Sequence, residues 1–278
     1  MAKKPAKSNA PAAAPTPATN GSSAASTSYA LPDVPRSQLD STTVTYHPSS
    51  DRLLVLVIAP DKPTLDSLLL RASIFYEHPT HKSTFLAQPQ FAAAQAKLGK
   101  PFTYYGHNMP LTSLCAFLTH AHAARDLTPG EAHLHRTLAT KLKALPLPGA
   151  KGALKPTFPT TYLVGWVKGD EPTLRHELHH AWFHFNRANY QHVCKQALES
   201  LDNMLRLQVR AYLQGCGYDE KVWVDEYQAH LGCGDQMVLG KGMELMEEAK
   251  RMIMQCMAEG GGDEWFEGVD LVANGEVY

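Results

Sequence analysis

The side chains best suited to chemistry in this sequence are two histidines and a glutamate that lie within five residues. His176 and His180 are four residues apart, and Glu177 directly follows the first of them. From the composition, this H-E-x-x-H spacing is expected by chance only ~0.035 times in the whole chain. On a helix, residues four apart lie on one face, so the two imidazole groups can bind a single metal ion. Glu177 would then lie beside a water molecule on that ion, where a general base is required.

Such a site requires a helix, and the residues around the motif predict one from Asp170 to about Asn186. Asp170 is suited to the N-cap position, and a proline in the first turn favours a helix start. The apolar side chains that fall on one side of this helix are Leu174, Leu178, Ala181, Trp182 and Phe185. His176, Glu177 and His180 lie away from that side, so the apolar side can pack on a core while the motif faces a cleft. The alternative is a surface helix whose histidines only face solvent.

A third ligand is needed, because a catalytic zinc site usually has three protein ligands and one open position. Glu226 is the first candidate, since its neighbours Val222, Trp223 and Ala229, at i−4, i−3 and i+3 on a helix, are apolar. A carboxylate in such surroundings is costly unless it is paired or bound to metal. Asp225 is the second choice, and His230 is a further candidate as a ligand, a hydrogen-bond donor or a partner of the ligands. The alternative for Glu226 is an ion pair with Arg187, Arg206 or Arg210.

The motif on its helix, followed by Glu226 in an Asp-Glu-Tyr-Gln-Ala-His context on a later helix, resembles the zincin metallopeptidases. More narrowly, it resembles their gluzincin branch, in which a glutamate on a second helix is the third zinc ligand. The resemblance covers about residues 160–231 and implies a zincin-like metal helix. In that family a strand just before the zinc helix often lies along the substrate cleft, and here that strand would be Tyr162–Val167.

The resemblance implies a zinc-dependent, peptidase-like hydrolase that acts on peptide or protein substrates. The implied Zn²⁺ ligands are His176, His180 and Glu226. Glu177 would accept a proton as a zinc-activated water attacks an amide carbonyl. Candidates for the donor that stabilises the oxyanion are His230, which we place first, Tyr227 and His184. The alternative function is a zincin-like protein that binds metal or a partner without turnover. An iron enzyme is disfavoured because no second Glu-x-x-His occurs.

The composition predicts a soluble globular protein without nucleic-acid or membrane partners. Hydrophobic residues make up 44% of the 278 residues, and 26 Lys+Arg nearly balance 27 Asp+Glu. A chain without a basic stripe offers no long-range attraction to phosphate backbones. The longest aliphatic run, Leu53–Pro60, is far shorter than the ~20 residues that span a bilayer. Five scattered cysteines without a C-x-x-C pair indicate a reducing compartment, so we expect a cytoplasmic protein, with organelle import through the N-terminal tail as the lesser alternative.

The sequence divides into two tails and one domain. Residues 1–32 are rich in Ala, Pro and Ser and predict a disordered tail. Residues 33–259 predict a single, predominantly helical α+β domain with a small sheet, made of an N-terminal part at 33–150 and a metal-binding helical part at 160–259. Residues 260–278 begin with three glycines, are acidic, and predict a second tail.

Local patterns predict the elements of this domain. Thr42–Tyr46 and Leu53–Ala59 are expected to form a β-hairpin, and Pro63–Glu77 a helix. Thr128 and Glu131 fit the N-cap and N3 positions of a capping box, so a further helix should follow them. The helices expected later in the chain are Tyr190–Leu213, Asp219–Leu231 and Asp235–Met257.

Overall fold

The computed structural model describes residues 30–48, 52–142, 160–235, 237–238 and 242–273. These residues form a four-stranded mixed sheet with helices on both of its faces. The prediction of a mostly helical α+β fold with a small sheet is confirmed. The predicted N-terminal tail lies, up to residue 29, outside the described residues.

The sheet of the described chain has a mixed topology. Its strands are β1 (Thr43–Pro48), β2 (Arg52–Ala59), β3 (His107–Pro110) and β4 (Thr160–Val167). Their order is β1-β2-β4-β3, with β2 and β4 parallel and each outer strand antiparallel to its neighbour. The predicted hairpin strands therefore pair as expected, while the turn between them lies outside the described residues. β2 is a nearly continuous run of Leu, Val and Ile, the composition typical of a strand that is covered on both faces.

Helices precede, connect and follow these strands. In the N-terminal part they are α1 (Arg36–Asp40), α2 (Lys62–Glu77), α3 (Gln88–Leu98), α4 (Leu111–Ala123) and α5 (Pro129–Leu142). In the C-terminal part they are α6 (Glu171–Phe185), α7 (Arg187–Ser200), α8 (Asn203–Gly215), α9 (Trp223–Cys233), α10 (Gly242–Glu259) and α11 (Gly262–Ala273), with a 3₁₀ turn at Glu220–Val222 before α9. Within the described residues, no helix is both long and apolar enough to cross a membrane.

Residues of β2 alternate between two hydrophobic cores. Leu54 and Leu56 belong to a core that also contains Val164 of β4 and residues of helices α6 to α11. Val55 and Val57 belong to a second core with α2, α4 and α5. This alternation follows from the two-residue period of a strand. The motif helix α6 and helix α2 therefore cover opposite faces of the sheet, and both contact the short strand β3.

The predicted capping box at the start of α5 is confirmed. The Thr128 backbone N–H donates to Glu131 Oε2 at 2.9 Å, and the Glu131 N–H donates to Thr128 Oγ1 at 3.1 Å. Glu131 also accepts a hydrogen bond from the buried Arg71 of α2 at 3.1 Å. The same carboxylate thus starts α5 and joins it to α2.

One predicted helix is two helices in the structure. The expected helix Tyr190–Leu213 is interrupted at Leu201, whose backbone is extended with φ −61° and ψ 143°. The Asp202 side chain accepts a hydrogen bond from the Leu205 N–H at 2.9 Å and forms the N-cap of α8. Because aspartate competes for backbone N–H groups, it favours caps over helix interiors. The apolar period continues across this break, which is the reason that periodicity alone predicted one helix.

Part of the predicted C-terminal tail is a helix in the structure. Residues 262–273, which we expected to belong to that tail, form α11. Its residues Phe266, Val269 and Val272 are buried in the core that also contains α6 residues. Their three-residue spacing places them on one helical face. Glycines and acidic residues suggested a tail, but burial of this apolar stripe stabilises an ordered helix.

The strand expected to lie along a substrate cleft is not at the edge of the sheet. β4 lies between β2 and β3, so its residues from Tyr162 to Gly165 are paired on both sides. The interpretation of Tyr162–Val167 as a cleft strand is therefore corrected. Among the described strands, β3 forms the edge next to β4, and it contacts α6. No sequence pattern predicted β3, because four residues that include a proline resemble a turn more than a strand.

Candidate metal centre

Helix α6 places the two motif histidines side by side. The Asp170 side chain accepts a hydrogen bond from the Thr173 N–H at 3.3 Å and caps the helix as predicted. Leu178 and its apolar neighbours pack in the core, while another face of α6 contacts α9. His176 Nε2 and His180 Nε2 are 3.1 Å apart. Both histidines therefore direct the same ring nitrogen toward a common point.

Glu226 of α9 supplies a third donor atom at that point. Its Oε2 lies 3.7 Å from His176 Nε2 and 3.7 Å from His180 Nε2. Tetrahedral zinc with bonds of roughly 2.0–2.2 Å places ligand atoms about 3.3–3.5 Å apart, so this triangle needs only small shifts. Glu226 Oε2 is buried and has no hydrogen-bond partner within the described chain, where no arginine pairs with it. A buried carboxylate oxygen in this position fits a divalent cation.

Asp225, the second choice for the third ligand, contacts the other side of His180. Asp225 Oδ1 lies 2.8 Å from His180 Nδ1, the nitrogen remote from the donor triangle. Gln228 donates to Asp225 Oδ1 at 3.1 Å and to the His179 carbonyl oxygen at 3.1 Å, which joins α9 to α6. A carboxylate on the remote nitrogen fixes the tautomer and orientation of a metal-binding histidine. Asp225 therefore holds the ring of His180, and Glu226 remains the candidate for the third ligand.

The pKa values of the donors reflect burial and mutual charge. Burial is the largest cause that lowers the pKa of His176 to about 4, and burial raises the pKa of Glu226. Burial also acts to lower the pKa of His180, but the Asp225 and Glu226 carboxylates outweigh it and raise that pKa well above its usual value. At neutral pH a proton is thus held between His180 and these carboxylates. A divalent cation at this point would displace that proton.

Glu177 follows His176 on α6, and its carboxylate interacts electrostatically with His176 and His180. It is buried, and its Oε2 accepts a hydrogen bond from Asn108 Nδ2 of β3 at 2.6 Å. Burial raises the pKa of Glu177, against the opposing effect of His176 and His180. A buried carboxylate next to a metal position is suited to accept a proton from water.

His230 of α9 lies next to His176, with ring centroids 4.7 Å apart. Its Nδ1 is 2.9 Å from Asp235 Oδ2, and its buried Nε2 has no hydrogen-bond partner within the described residues. His176, His230 and Asp235 also lie close enough together to hold a metal ion. We favour the triangle that contains Glu226, because Asp235 is exposed and its charge is already hydrated.

A cavity of about 30 Å³ adjoins the donor triangle. Its lining comes from both parts of the chain and consists of Tyr76, Glu77, Lys82, Asn108, His180, Val222, Asp225 and Glu226. The pKa of Glu77, at the end of α2, is raised well above its usual value, first by burial and then by the charges of Glu226 and Glu177. A cavity of this size holds about one water molecule. The space beside the candidate metal position is therefore small.

His176, His180 and Glu226 lie close enough together to hold a metal ion, and the ring of His230 lies beside that of His176. The two alternative oxyanion donors have different surroundings. Tyr227 is fully buried in the hydrophobic core, and the ring of His184 lies 4.6 Å from that of Tyr162. Of the three candidates, only His230 has a ring beside the ligand pair.

Three residues at the site were missed by sequence reasoning, namely Asn108, Tyr162 and Glu77. Asn108 contacts Glu177 from 69 residues away in the chain. Such contacts depend on the crossing of β3 and α2 beside α6, which no local spacing encodes. The one available signal was weak: an asparagine directly before a methionine and a proline, in a segment without helical periodicity.

Comparison with known proteins gives no family assignment. The chain matches no protein-family model, no curated protein and no solved structure. The functional inference therefore depends on the chemistry of the site and on the resemblance of the motif.

Proposed function

We propose that this protein is a zinc-dependent hydrolase of the zincin type that cleaves peptide bonds. The observation that carries the proposal is the convergence of His176 Nε2, His180 Nε2 and Glu226 Oε2 at 3.1–3.7 Å. Glu177 follows His176 on α6, and nitrogen and carboxylate donors of this kind suit Zn²⁺. When bound, zinc supplies a Lewis acid that polarises a carbonyl group and lowers the pKa of water to about 7.

Glu177 and His230 are proposed to have separate roles in the reaction. Glu177 accepts the proton of the attacking water and passes it to the leaving amine. His230 donates from Nε2 to the developing oxyanion. Because its Nδ1 faces the Asp235 carboxylate at 2.9 Å, Nε2 carries a hydrogen only in the imidazolium form. Burial lowers the pKa of His230 and opposes that form, whereas Asp235 favours it, so Asp235 supports the donor role.

The position of β3 at the edge of the sheet supports the proposal that the substrate is a peptide. β3 is an outer strand of the sheet and contacts α6. An extended peptide can add to an exposed strand edge through main-chain hydrogen bonds. A peptide bound along β3 would pass Asn108, which also contacts Glu177. The path of a bound peptide would thus run beside the base.

Glu177→Gln is the variant that tests the proposal. Glutamine fills the same space but cannot accept a proton, so we expect cleavage of a peptide library to fall at least ~100-fold. Zinc content, measured by mass spectrometry of the metal, should be unchanged, because Glu177 is not one of the three donors. Glu220→Gln, at an exposed glutamate before α9, is the matched control and should keep wild-type cleavage. Wild-type cleavage by Glu177→Gln would contradict the proposal, and so would a zinc-loaded wild type that cleaves no library peptide.

A second candidate function is metal binding without turnover, and the closed site favours it. The side chains of His176, His180 and Glu226 are only 16%, 3% and 9% exposed. The adjoining cavity of about 30 Å³ has no room for a peptide unless the cleft opens. In this case His176→Ala would lose zinc and unfold the protein, while Glu177→Gln would change nothing measurable. Metal analysis of the same samples also distinguishes zinc from iron.

A further inference from the structure

The base Glu177 is held from the side of the edge strand. Asn108 Nδ2 donates to Glu177 Oε2 at 2.6 Å. Just before β3, the backbone at Gly106 approaches the same carboxylate so closely that a Cβ there would lie 2.5 Å from Glu177 Oε1. The same Cβ would lie 2.7 Å from Thr173 Cγ2, one turn earlier on α6. The segment 106–108 therefore packs directly onto the base and leaves its carboxylate little freedom.

The orientation of the Asn108 amide is fixed by a second hydrogen bond. The Tyr162 hydroxyl donates to Asn108 Oδ1 at 2.5 Å. Because this oxygen is occupied by a donor, the amide nitrogen must point to Glu177. Asn108 is paired with Val164 in the sheet, so Tyr162, two residues earlier on β4, lies on the same face and within reach. The adjacent strands β3 and β4 together thus orient the Asn108 amide toward Glu177.

We propose that Asn108 is the positioning residue of Glu177, and that Tyr162 holds Asn108 in its working orientation. The inference depends on the proposed function, in which Glu177 is the base. Because its oxygen accepts from Tyr162, the Asn108 amide can only donate to Glu177. This hydrogen bond keeps the Glu177 carboxylate in a single rotamer at the distance needed for proton transfer. Correct placement of a reacting group within a fraction of an ångström contributes substantially to rate. A purely structural Asn108 would instead serve only to satisfy a buried carboxylate.

Asn108→Asp tests the inference with a change of one group. Aspartate keeps the size and the oxygen that accepts from Tyr162, but it replaces the N–H donor with a carboxyl oxygen, which repels the Glu177 carboxylate or shares a proton with it. We expect kcat for peptide cleavage to fall ~10-fold or more, with KM and zinc content unchanged. Asn203→Asp, at an exposed asparagine in the first turn of α8, is the matched control and should keep wild-type kcat.

Tyr162→Phe provides a second variant, which removes the hydrogen bond to Asn108 and leaves the Asn108 side chain itself unchanged. It removes the hydroxyl that fixes the amide and should lower kcat less than Asn108→Asp does. The double variant should be no slower than Asn108→Asp alone, because both changes act on one interaction. If Asn108→Asp fails to fold, a folded, zinc-loaded Tyr162→Phe decides: lower kcat supports the inference, and wild-type kcat overturns it.

A binding measurement separates this inference from the proposed function. Acetohydroxamate would chelate a zinc ion held by the donor triangle and hydrogen-bond to the Glu177 carboxylate, so its affinity would report the position of that carboxylate. We expect Asn108→Asp to bind this probe ~10-fold more weakly while its zinc content equals that of the wild type. This result would hold even in a zinc-loaded protein that cleaves no peptide, where only the proposed function would fail. Wild-type probe affinity in Asn108→Asp, or loss of zinc in parallel with loss of kcat, would overturn the positioning role.

Discussion

At the scale of single residues, the candidate site contains atoms that face the proposed metal position and other atoms that orient them. His180 shows both functions, since Nε2 faces His176 while Nδ1 contacts Asp225 at 2.8 Å. Glu226 and Asp225 are neighbours in sequence, yet one faces the donor triangle and the other the remote nitrogen of His180. Adjacent positions on a helix diverge by 100°, which explains the different roles. The choice of Glu226 from its apolar neighbours agrees with this geometry, while the role of Asp225 required the position of α6 against α9.

The Asp225–His180 contact leads to a prediction about metal affinity. The Asp225 charge orients His180 and raises the pKa of His180. Asp225→Asn removes this charge, so we expect zinc to bind ~10–100-fold more weakly. The variant should also release fewer protons on binding zinc at pH 7, because His180 is less often protonated beforehand. Competition with a chelator measures the affinity, and calorimetry in buffers of different ionisation enthalpy counts the protons. Wild-type affinity and proton release in Asp225→Asn would show that this contact does not tune the site.

Stability in acid should depend on His179, the buried histidine next to His180. Burial is the main cause that lowers its pKa from 6.5 to about 3 in the folded protein. Between these pH values the unfolded chain binds a proton at His179 that the folded protein does not bind. The free energy of unfolding therefore falls as the pH falls through this window, by about 1.4 kcal/mol per pH unit for such a group.

Denaturation of the chelator-treated protein at pH 6.5, 5.5 and 4.5 measures this slope. His179→Asn should reduce the slope by about that amount, whatever its effect on stability at pH 6.5. His192→Asn, at an exposed histidine of α7, is the control and should leave the slope unchanged. An equal slope in His179→Asn and the wild type would contradict the prediction.

At the scale of elements, local signals predicted the parts of the fold that local physics determines. The N-cap at Asp170 and the capping box at Thr128 were identified because the donor and acceptor are three residues apart. β3 was missed because its existence depends on pairing with β4, more than 50 residues later in the chain. Helix α11 was missed because glycines and acidic residues obscured its apolar stripe. The same long-range contacts of β3 place Asn108 beside Glu177. Asn108 therefore could not be predicted from local sequence patterns either.

The position of α11 in the core leads to a stability prediction. Phe266 is only 6% exposed and lies 5.1 Å from the ring of His179 on α6. Phe266→Ala should lower the free energy of unfolding by about 3 kcal/mol, because removal of the ring leaves a cavity that the core cannot fully close. Urea denaturation followed by circular dichroism measures the change. Leu245→Ala, at an exposed leucine of α10, should cost less than about 0.5 kcal/mol. Equal stability of the two variants would mean that α11 does not belong to the core.

At the scale of the whole molecule, both predicted parts of the chain contribute to one site. The C-terminal part supplies the donor triangle on α6 and α9, and the N-terminal part supplies Asn108 from β3 and Glu77 from α2. The sheet makes this possible because β4 of the C-terminal part lies between β2 and β3 of the N-terminal part. The division into two parts at residue 150 therefore describes the sequence order and does not separate functions. A ligand that joins α6 to α9 should also stabilise the whole fold, by about 2.7 kcal/mol at a concentration 100 times its Kd.

The position of zinc in crystals of the metal-loaded protein is the most direct test of the central claim. Anomalous scattering at the zinc edge locates the ion independently of the protein atoms. We expect one peak within roughly 2.0–2.2 Å of His176 Nε2, His180 Nε2 and Glu226 Oε2. A peak at His176, His230 and Asp235 would contradict the ligand assignment, and the absence of any peak near α6 would contradict the metal centre itself.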